Sequence, residues 1–254
     1  MTRTALVTGA AGGIGRAVAT RFAANGYQVL GIDVADPGLP GVAYRRADVT
    51  DAADVANAVA TVTSRGDSVD VLVTCAGVTA GNPLHLTTEQ EWDAVLTSNL
   101  RSVFLCTREV LPGMIAARAG TVITVGSVLH HTAAPALPAY AAAKGAIAAL
   151  TRQLAVDYGQ YGISFVTLSP GWVRTPATES RLDGEADLER LRQSNPLRTL
   201  GSPEHIAGAA VFAASPDGAL LNGSELTLDA GAHVVSPASL LRDTHRTRMG
   251  LPPL

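Results

Sequence analysis

The chain has 254 residues, 47% of them hydrophobic and 16% charged, with a formal net charge of −3. That length holds one large domain or two small ones around a sizeable core, and the charge offers no electrostatic footprint for nucleic acid. No apolar run is long enough to span a membrane, and MTRTALVTGAAGG lacks the charged-then-apolar pattern of a secretory leader. Cys75 and Cys106 each sit in an apolar run with no metal-ligand spacing, and both read as buried free thiols. A reduced, cytoplasmic protein is expected.

Short β-branched runs predict strands at Thr4–Thr8, Gln28–Ile32, Val42–Arg46, Val69–Thr74, Thr121–Val125, Ser164–Leu168 and Glu225–Leu228. Between them lie stretches of helical length: Ile14–Asn25, Ala52–Thr63, Glu89–Ala117 (read as two helices), Ala139–Tyr158 and a helix beginning near Pro203. Strands such as VDVLVT and TVITV are nearly all apolar or β-branched, as strands covered on both faces should be. Alternation of this kind predicts right-handed βαβ units and a single-domain α/β fold: a doubly wound, Rossmann-type parallel sheet with helices on both faces, over residues 1–235. Residues 236–254 form a polar, basic C-terminal extension, either a frayed tail or an arm docked on a neighbouring subunit. The charge-rich segment at about 176–200 is either an exposed helix and loop or a lid over a cleft, and its length favours the lid.

The first strand runs into TGAAGGIG, a glycine turn opening a helix, with Gly9, Gly12, Gly13, Ile14 and Gly15 at the join. Glycine permits close backbone approach, and a helix N-terminus welcomes a pyrophosphate. The spacing reads as TGxxxGxG or as TGxxGxxG. In LGIDV, at the end of the second strand, Asp33 can accept hydrogen bonds from both ribose hydroxyls of an adenosine and repel a 2′-phosphate. Arg45 and Arg46 read as a solvated strand pair, so NAD is favoured over NADP.

AYAAAKGAIAAL, residues 139–150, is alanine-rich and helical by propensity, which stacks Tyr140 and Lys144 one turn apart. A free phenol titrates near about 10, and bringing it to neutrality takes about 4 kcal/mol of differential stabilisation. A fixed ammonium and an oxidised nicotinamide ring could together supply that order of energy. Ser127 ends VITVGS at the carboxyl edge of the fifth strand, where open α/β sheets bind ligands. It is no hydrolase nucleophile, because VGSVL lacks the second glycine of G-x-S-x-G. His130 and His131 are adjacent loop histidines with no carboxylate cluster in the sequence around them, so no metal is expected; they read as pocket wall or loop surface. His85, His205, His233 and His245 show no partners.

These residues together resemble the classical short-chain dehydrogenase/reductase family, over roughly residues 3–235. The resemblance implies a catalytic set of Ser127, Tyr140 and Lys144, with Asn99 of LTSNL holding a water that links the lysine to solvent. It implies cofactor contacts from the glycine loop, from Asp33, from Asp48 and Val49 at the adenine, from Cys75, Ala76 and Gly77, from Tyr140 and Lys144, and from Val173 and Thr175 of PGWVRTP at the nicotinamide amide. PLRTLGSPEHIA resembles the stretch after the family's substrate loop. The family's Asn-Asn-Ala-Gly stands here as Thr74-Cys75-Ala76-Gly77, and bulky Val128, Leu129, His130 and His131 follow the serine. The implied activity is NAD-dependent interconversion of a secondary alcohol, such as a cyclic alcohol or diol, and its ketone. The alternatives are a biosynthetic ketone reductase such as a 3-oxoacyl reductase, and a non-catalytic NAD-binding sensor or scaffold. Val128, Leu129, His130, Trp172 and Leu182 are the pocket candidates. The partners expected are a small-molecule alcohol or ketone and further copies of the chain, as a homodimer or homotetramer packed through the alanine-rich helix.

Overall fold

Seven strands build one sheet in the computed structural model, which describes residues 2–64, 68–236 and 243–251: β1 (Thr4–Thr8), β2 (Gln28–Asp33), β3 (Val42–Arg46), β4 (Val71–Thr74), β5 (Gly120–Val125), β6 (Ile163–Pro170) and β7 (Glu225–Leu228). All pair in parallel, in the order β3-β2-β1-β4-β5-β6-β7. The order reverses between β1 and β4, which opens a crevice at their carboxyl ends, the place where such sheets take ligands.

The helices are α1 (Gly13–Ala24), α2 (Ala52–Thr63), α3 (Glu89–Leu96), α4 (Ser102–Ala117), α5 (Pro138–Tyr158), α6 (Pro176–Glu179), α7 (Glu185–Gln193), α8 (Pro203–Ala213) and α9 (Asp243–Arg248). Side chains alternate across a strand, so neighbours in β1 serve two cores. Leu6 packs into a layer with Leu72, Val110, Met114 and Phe165, while Ala5 and Val7 join Val18, Phe22, Ile206 and Ala210 on the other face. The expected doubly wound α/β architecture is therefore present, with strand limits within two residues of those read from the sequence.

Residues 89–117 hold the two helices expected, α3 and α4, joined without a break through a π turn at Thr97–Arg101, where Leu96, Thr97, Arg101 and Ser102 all keep helical backbone angles. A π turn is a local widening, frequent at functional sites, and here it carries Asn99. Among the described residues no helix is long and apolar enough to cross a membrane. Of the C-terminal extension, residues 237–242 and 252–254 lie outside the described set, and α9 is the element seen within it.

Candidate active site

The glycine loop leaves β1 with Gly9 at φ +67°, a left-handed turn in which a Cβ would stand 2.8 Å from the Ala76 nitrogen. A Cβ on Gly15 would run into the Gly9 carbonyl oxygen, and one on Gly13 would meet the Thr175 methyl at 2.6 Å. Gly12 caps α1 without a side-chain hydrogen bond, and the first turn has no acidic residue. The leading amides of α1 thus face the crevice uncapped, which is the arrangement that holds a pyrophosphate. Across the crevice, the Cys75 and Ala76 amides both donate to the Thr8 hydroxyl at 3.1 Å. Thr8 was not singled out from the sequence, although a hydroxyl at the last residue of β1 was a visible signal. Burial pushes the Cys75 thiol up to about 12, and the Cys106 thiol likewise; Cys106 is buried, whereas Cys75 is only partly so.

Asp33 ends β2 with its carboxylate turned back to the loop. One oxygen accepts from the Ala11 amide at 3.0 Å and the other from the Ala35 amide at 3.1 Å. Each oxygen retains a lone pair for a ribose hydroxyl. Arg46 is paired in register with Asp33, and its Nε donates to the Val34 carbonyl at 3.1 Å, so it is anchored rather than simply solvated. Asp48 is exposed, and hydrogen bonds from the Thr50 amide and hydroxyl hold its carboxyl below the usual range. Val49 packs on the core beside it. These residues fit a dinucleotide: an open helix terminus, three positions where only glycine leaves room, and an acid at the ribose position.

The reacting groups meet at the carboxyl end of β5. Lys144 is buried on α5, and its Nζ donates to the Val125 carbonyl at 2.7 Å and lies 5.4 Å from the centre of the Tyr140 ring. Burial pushes the Lys144 ammonium below the ordinary lysine range, opposed by the nearby Tyr140 and Cys75. Ser127, two residues beyond Val125, has extended backbone, and its Oγ accepts from the Leu129 amide at 3.2 Å, which leaves its own proton to donate. Asn99 is almost wholly buried. Its Nδ2 donates to the Val78 and Val95 carbonyls at 2.9 and 3.0 Å, while its Oδ1 accepts from no protein donor and stands against Gly77.

Beyond this set, a cavity of about 550 Å³ lies between residues 79–81, 135–137, Trp172 and the 176–200 segment. Trp172 and Leu182 line it, as does Leu137, which precedes α5. The Trp172 indole N–H is buried without an acceptor. The 176–200 segment is latched over the cavity by Arg181, which donates to the Thr79 carbonyl at 2.7 Å. Val173 is buried and bridges to Gly201, and Thr175 caps α6 through Thr178. Thr175 therefore joins the glycine loop to the 176–200 segment.

Val128, Leu129 and His130 are not among the residues lining this cavity. The readings of the histidines are corrected. The two loop histidines do have a carboxylate: His130 Nε2 and His131 Nε2 each stand 3.1 Å from Glu225 Oε2, contributed by β7. His233 pairs with Asp229 at 2.7 Å, and His205 Nδ1 accepts from the Ser202 amide at 3.0 Å. His85 is exposed, and the side chain of His245 lies outside the described residues.

Residues 9–233 match a family model described as enoyl-(acyl carrier protein) reductase. The 2-(R)-hydroxypropyl-CoM dehydrogenase of Xanthobacter autotrophicus is 36% identical over 244 residues, 90% of this chain and 98% of that protein. The 3-oxoacyl-acyl-carrier-protein reductase of Vibrio harveyi is 32% identical over 240 residues, 91% of this chain and 97% of that one. A crystal structure of an oxidoreductase of the short-chain dehydrogenase/reductase family from Burkholderia thailandensis superposes with a TM-score of 0.85 at 35% identity, covering 99% of this chain and 98% of its own. A whole-length match of this kind, on a parallel sheet with a glycine-lined crevice, places the chain in the short-chain dehydrogenase/reductase family of NAD(P)-using oxidoreductases.

Proposed function

We propose that the protein is an NAD-dependent dehydrogenase that interconverts a medium-sized secondary alcohol and its ketone. The observation that carries the reading is Lys144: one buried ammonium is tied to the end of β5, two residues before Ser127, and lies beside the Tyr140 ring. A dinucleotide, when bound, supplies hydride acceptance. The protein's part is proton transfer and positioning. Ser127 donates its free hydroxyl proton to the substrate oxygen and fixes it. Tyr140 takes the alcohol proton as general base, and the Lys144 ammonium stabilises the negative charge on the phenolic oxygen. Asn99 keeps an acceptor open for the path by which that proton leaves.

Asp33 supports NAD over NADP, since a carboxylate there repels a 2′-phosphate. The cavity lies within the range of small-molecule sites, roughly 300–1,000 Å³, and its Leu137, Leu182 and Leu191 walls beside an unpaired indole N–H suit a mixed apolar and polar substrate. The relative named as an acyl-carrier-protein reductase favours a second reading, reduction of a 3-oxoacyl thioester. Exposed Phe104 on α4 and Val156 on α5, with Ala142 and Ala149 exposed between them on α5, support assembly of further copies across these helices; sedimentation as a monomer would remove that part.

The test is a panel of secondary alcohols and cyclic diols with NAD, read by absorbance of the reduced nicotinamide, alongside a 3-oxoacyl thioester with NADPH. Tyr140→Phe should abolish turnover while NAD still raises the melting temperature. A Tyr140→Phe enzyme that keeps its rate would remove Tyr140 from its role.

A further inference from the structure

His130, His131 and Glu225 are 94 and 95 residues apart in the chain, yet all three of their donor atoms lie within 4.8 Å of one another. The proton inventory of this cluster is constrained. His130 Nδ1 faces the Ser127 carbonyl oxygen, which can only accept, so Nδ1 carries the proton. In the neutral ring Nε2 is then a bare lone pair, and it stands 3.1 Å from Glu225 Oε2. Glu225 presents its carboxyl group to both rings. A lone pair facing a carboxylate repels unless something positive stands between them.

A proton on His130 is one solution, with His131 neutral and donating from Nε2; a cation shared by all three groups is the other. His131 Nε2 lies 3.1 and 3.2 Å from the two Glu225 oxygens, and the two imidazole centres are only 3.8 Å apart. The three ligand atoms converge within 4.8 Å, so one divalent cation can satisfy both rings and the carboxylate together.

We propose that His130, His131 and Glu225 form a metal site for a divalent transition ion of the zinc class, separate from the groups that carry out the redox chemistry. Two imidazole nitrogens and a carboxylate oxygen are the donor set of zinc, with open positions for water. Metal–ligand bonds of about 2.0–2.1 Å in a tetrahedron separate the ligand atoms by roughly 3.4 Å, close to the 3.1–3.2 Å between Nε2 and carboxylate here. The outer contacts are those of a ligating histidine: a backbone carbonyl fixes the His130 tautomer. His233 stacks 6.4 Å from His131, with its Nδ1 committed to Asp229. An ion here would pin the turn that follows Ser127, across β6, to the edge strand β7. The thiols do not compete, since burial keeps both protonated.

The experiment is calorimetric titration of the full-length, tag-free protein with zinc sulfate, without dinucleotide, paired with thermal melts and the visible spectrum of the cobalt(II) form. About one ion per chain should bind at micromolar affinity or better, raise the melting temperature, and give the intense visible bands of low-coordinate cobalt. Glu225→Gln and His131→Ala should each weaken binding at least about tenfold, while His85→Ala, on an exposed turn, should change nothing. His131→Ala alters a ring that is 46% exposed and so decides the matter if Glu225→Gln fails to fold. Binding no tighter than about millimolar, or undiminished in His131→Ala, overturns the site. Neither result touches the dehydrogenase reading, because no turnover is measured.

Discussion

Replacing Lys144 by methionine keeps a long side chain in the same slot and removes the charge and the donor together. The ammonium lies 5.4 Å from the centre of the Tyr140 ring. Taking that ring-centre distance as the charge separation and an effective dielectric of about 20, its attraction for an ionised Tyr140 is about 3 kcal/mol, or roughly a 10²-fold effect on rate. Turnover at saturating dinucleotide should fall by that factor near neutral pH, and raising the pH should recover part of it. Stability changes in the opposite sense at the two ends of the pH scale. The variant leaves the Val125 carbonyl without its 2.7 Å donor, a loss of about 1–3 kcal/mol. Wild type, however, carries the cost of burying an ammonium. Because the folded-state Lys144 titrates below its ordinary value, that cost is complete below the folded value and vanishes as the pH rises past the unfolded value of about 10.4. The stability deficit of Lys144→Met should therefore be smaller at neutral pH than in strong alkali. Initial rates with circular dichroism melts across that range are the assay, and turnover within about fivefold of wild type at neutral pH would refute the electrostatic role.

Gly15→Ala puts a methyl group against the Gly9 carbonyl oxygen, so the loop must shift, and dinucleotide affinity should fall by about 10²-fold; thermal shift with NAD reads it directly. Asp33→Ala removes both the acceptor for Ala11 and the charge that repels a 2′-phosphate, so the ratio of kcat/KM for NAD over NADP should drop at least tenfold, about 1.4 kcal/mol. Asp229 accepts from the Gly231 and His233 amides at 2.9 and 2.7 Å; burial opposes its charge, but those donors and the His233 ring outweigh it and hold its carboxyl below the usual range. Its contribution is present above the unfolded carboxylate value of about 3.9 and is lost as the pH falls through the lower folded value. Asp229→Asn should cost about 1–2 kcal/mol at neutral pH by urea titration and converge on wild type in acid.

Local features were legible because local physics determines them. Doubly buried strands announce themselves as apolar runs, and the TGAAGGIG join specifies strand, turn and helix in one stretch. Tyr140 and Lys144 could be paired on paper because helical spacing alone brings them together. That a π turn at Thr97–Arg101 joins the two helices of residues 89–117 had no such local signal. Nothing local shows that Glu225 meets His130 and His131: the contact depends on β7 joining the sheet beyond β6, which makes neighbours of residues far apart in the chain. The Thr175–Gly13 contact was hidden for the same reason. The resemblance located its two ends but not their touching.

The π turn also explains why the cofactor crevice and the reacting groups cannot be separated in this fold. Asn99, carried on the π turn, donates from Nδ2 to the Val95 carbonyl at 3.0 Å and to the Val78 carbonyl on the loop after β4 at 2.9 Å. The amide thereby ties that loop to the helix, and its Oδ1 is left directed at Gly77, where a Cβ would come to 2.5 Å. Gly77 is therefore a glycine on account of Asn99, independently of any need for the cofactor to approach it. The loop on one side of the crevice and the buried amide near the reacting centre are in van der Waals contact and must move together. On the other side, Thr8 receives the Cys75 and Ala76 amides and so carries the same constraint into β1 and the glycine loop. The Thr8 hydroxyl holds the backbone of residues 75 and 76 through their amides, so this tie across the sheet does not depend on the Cys75 side chain.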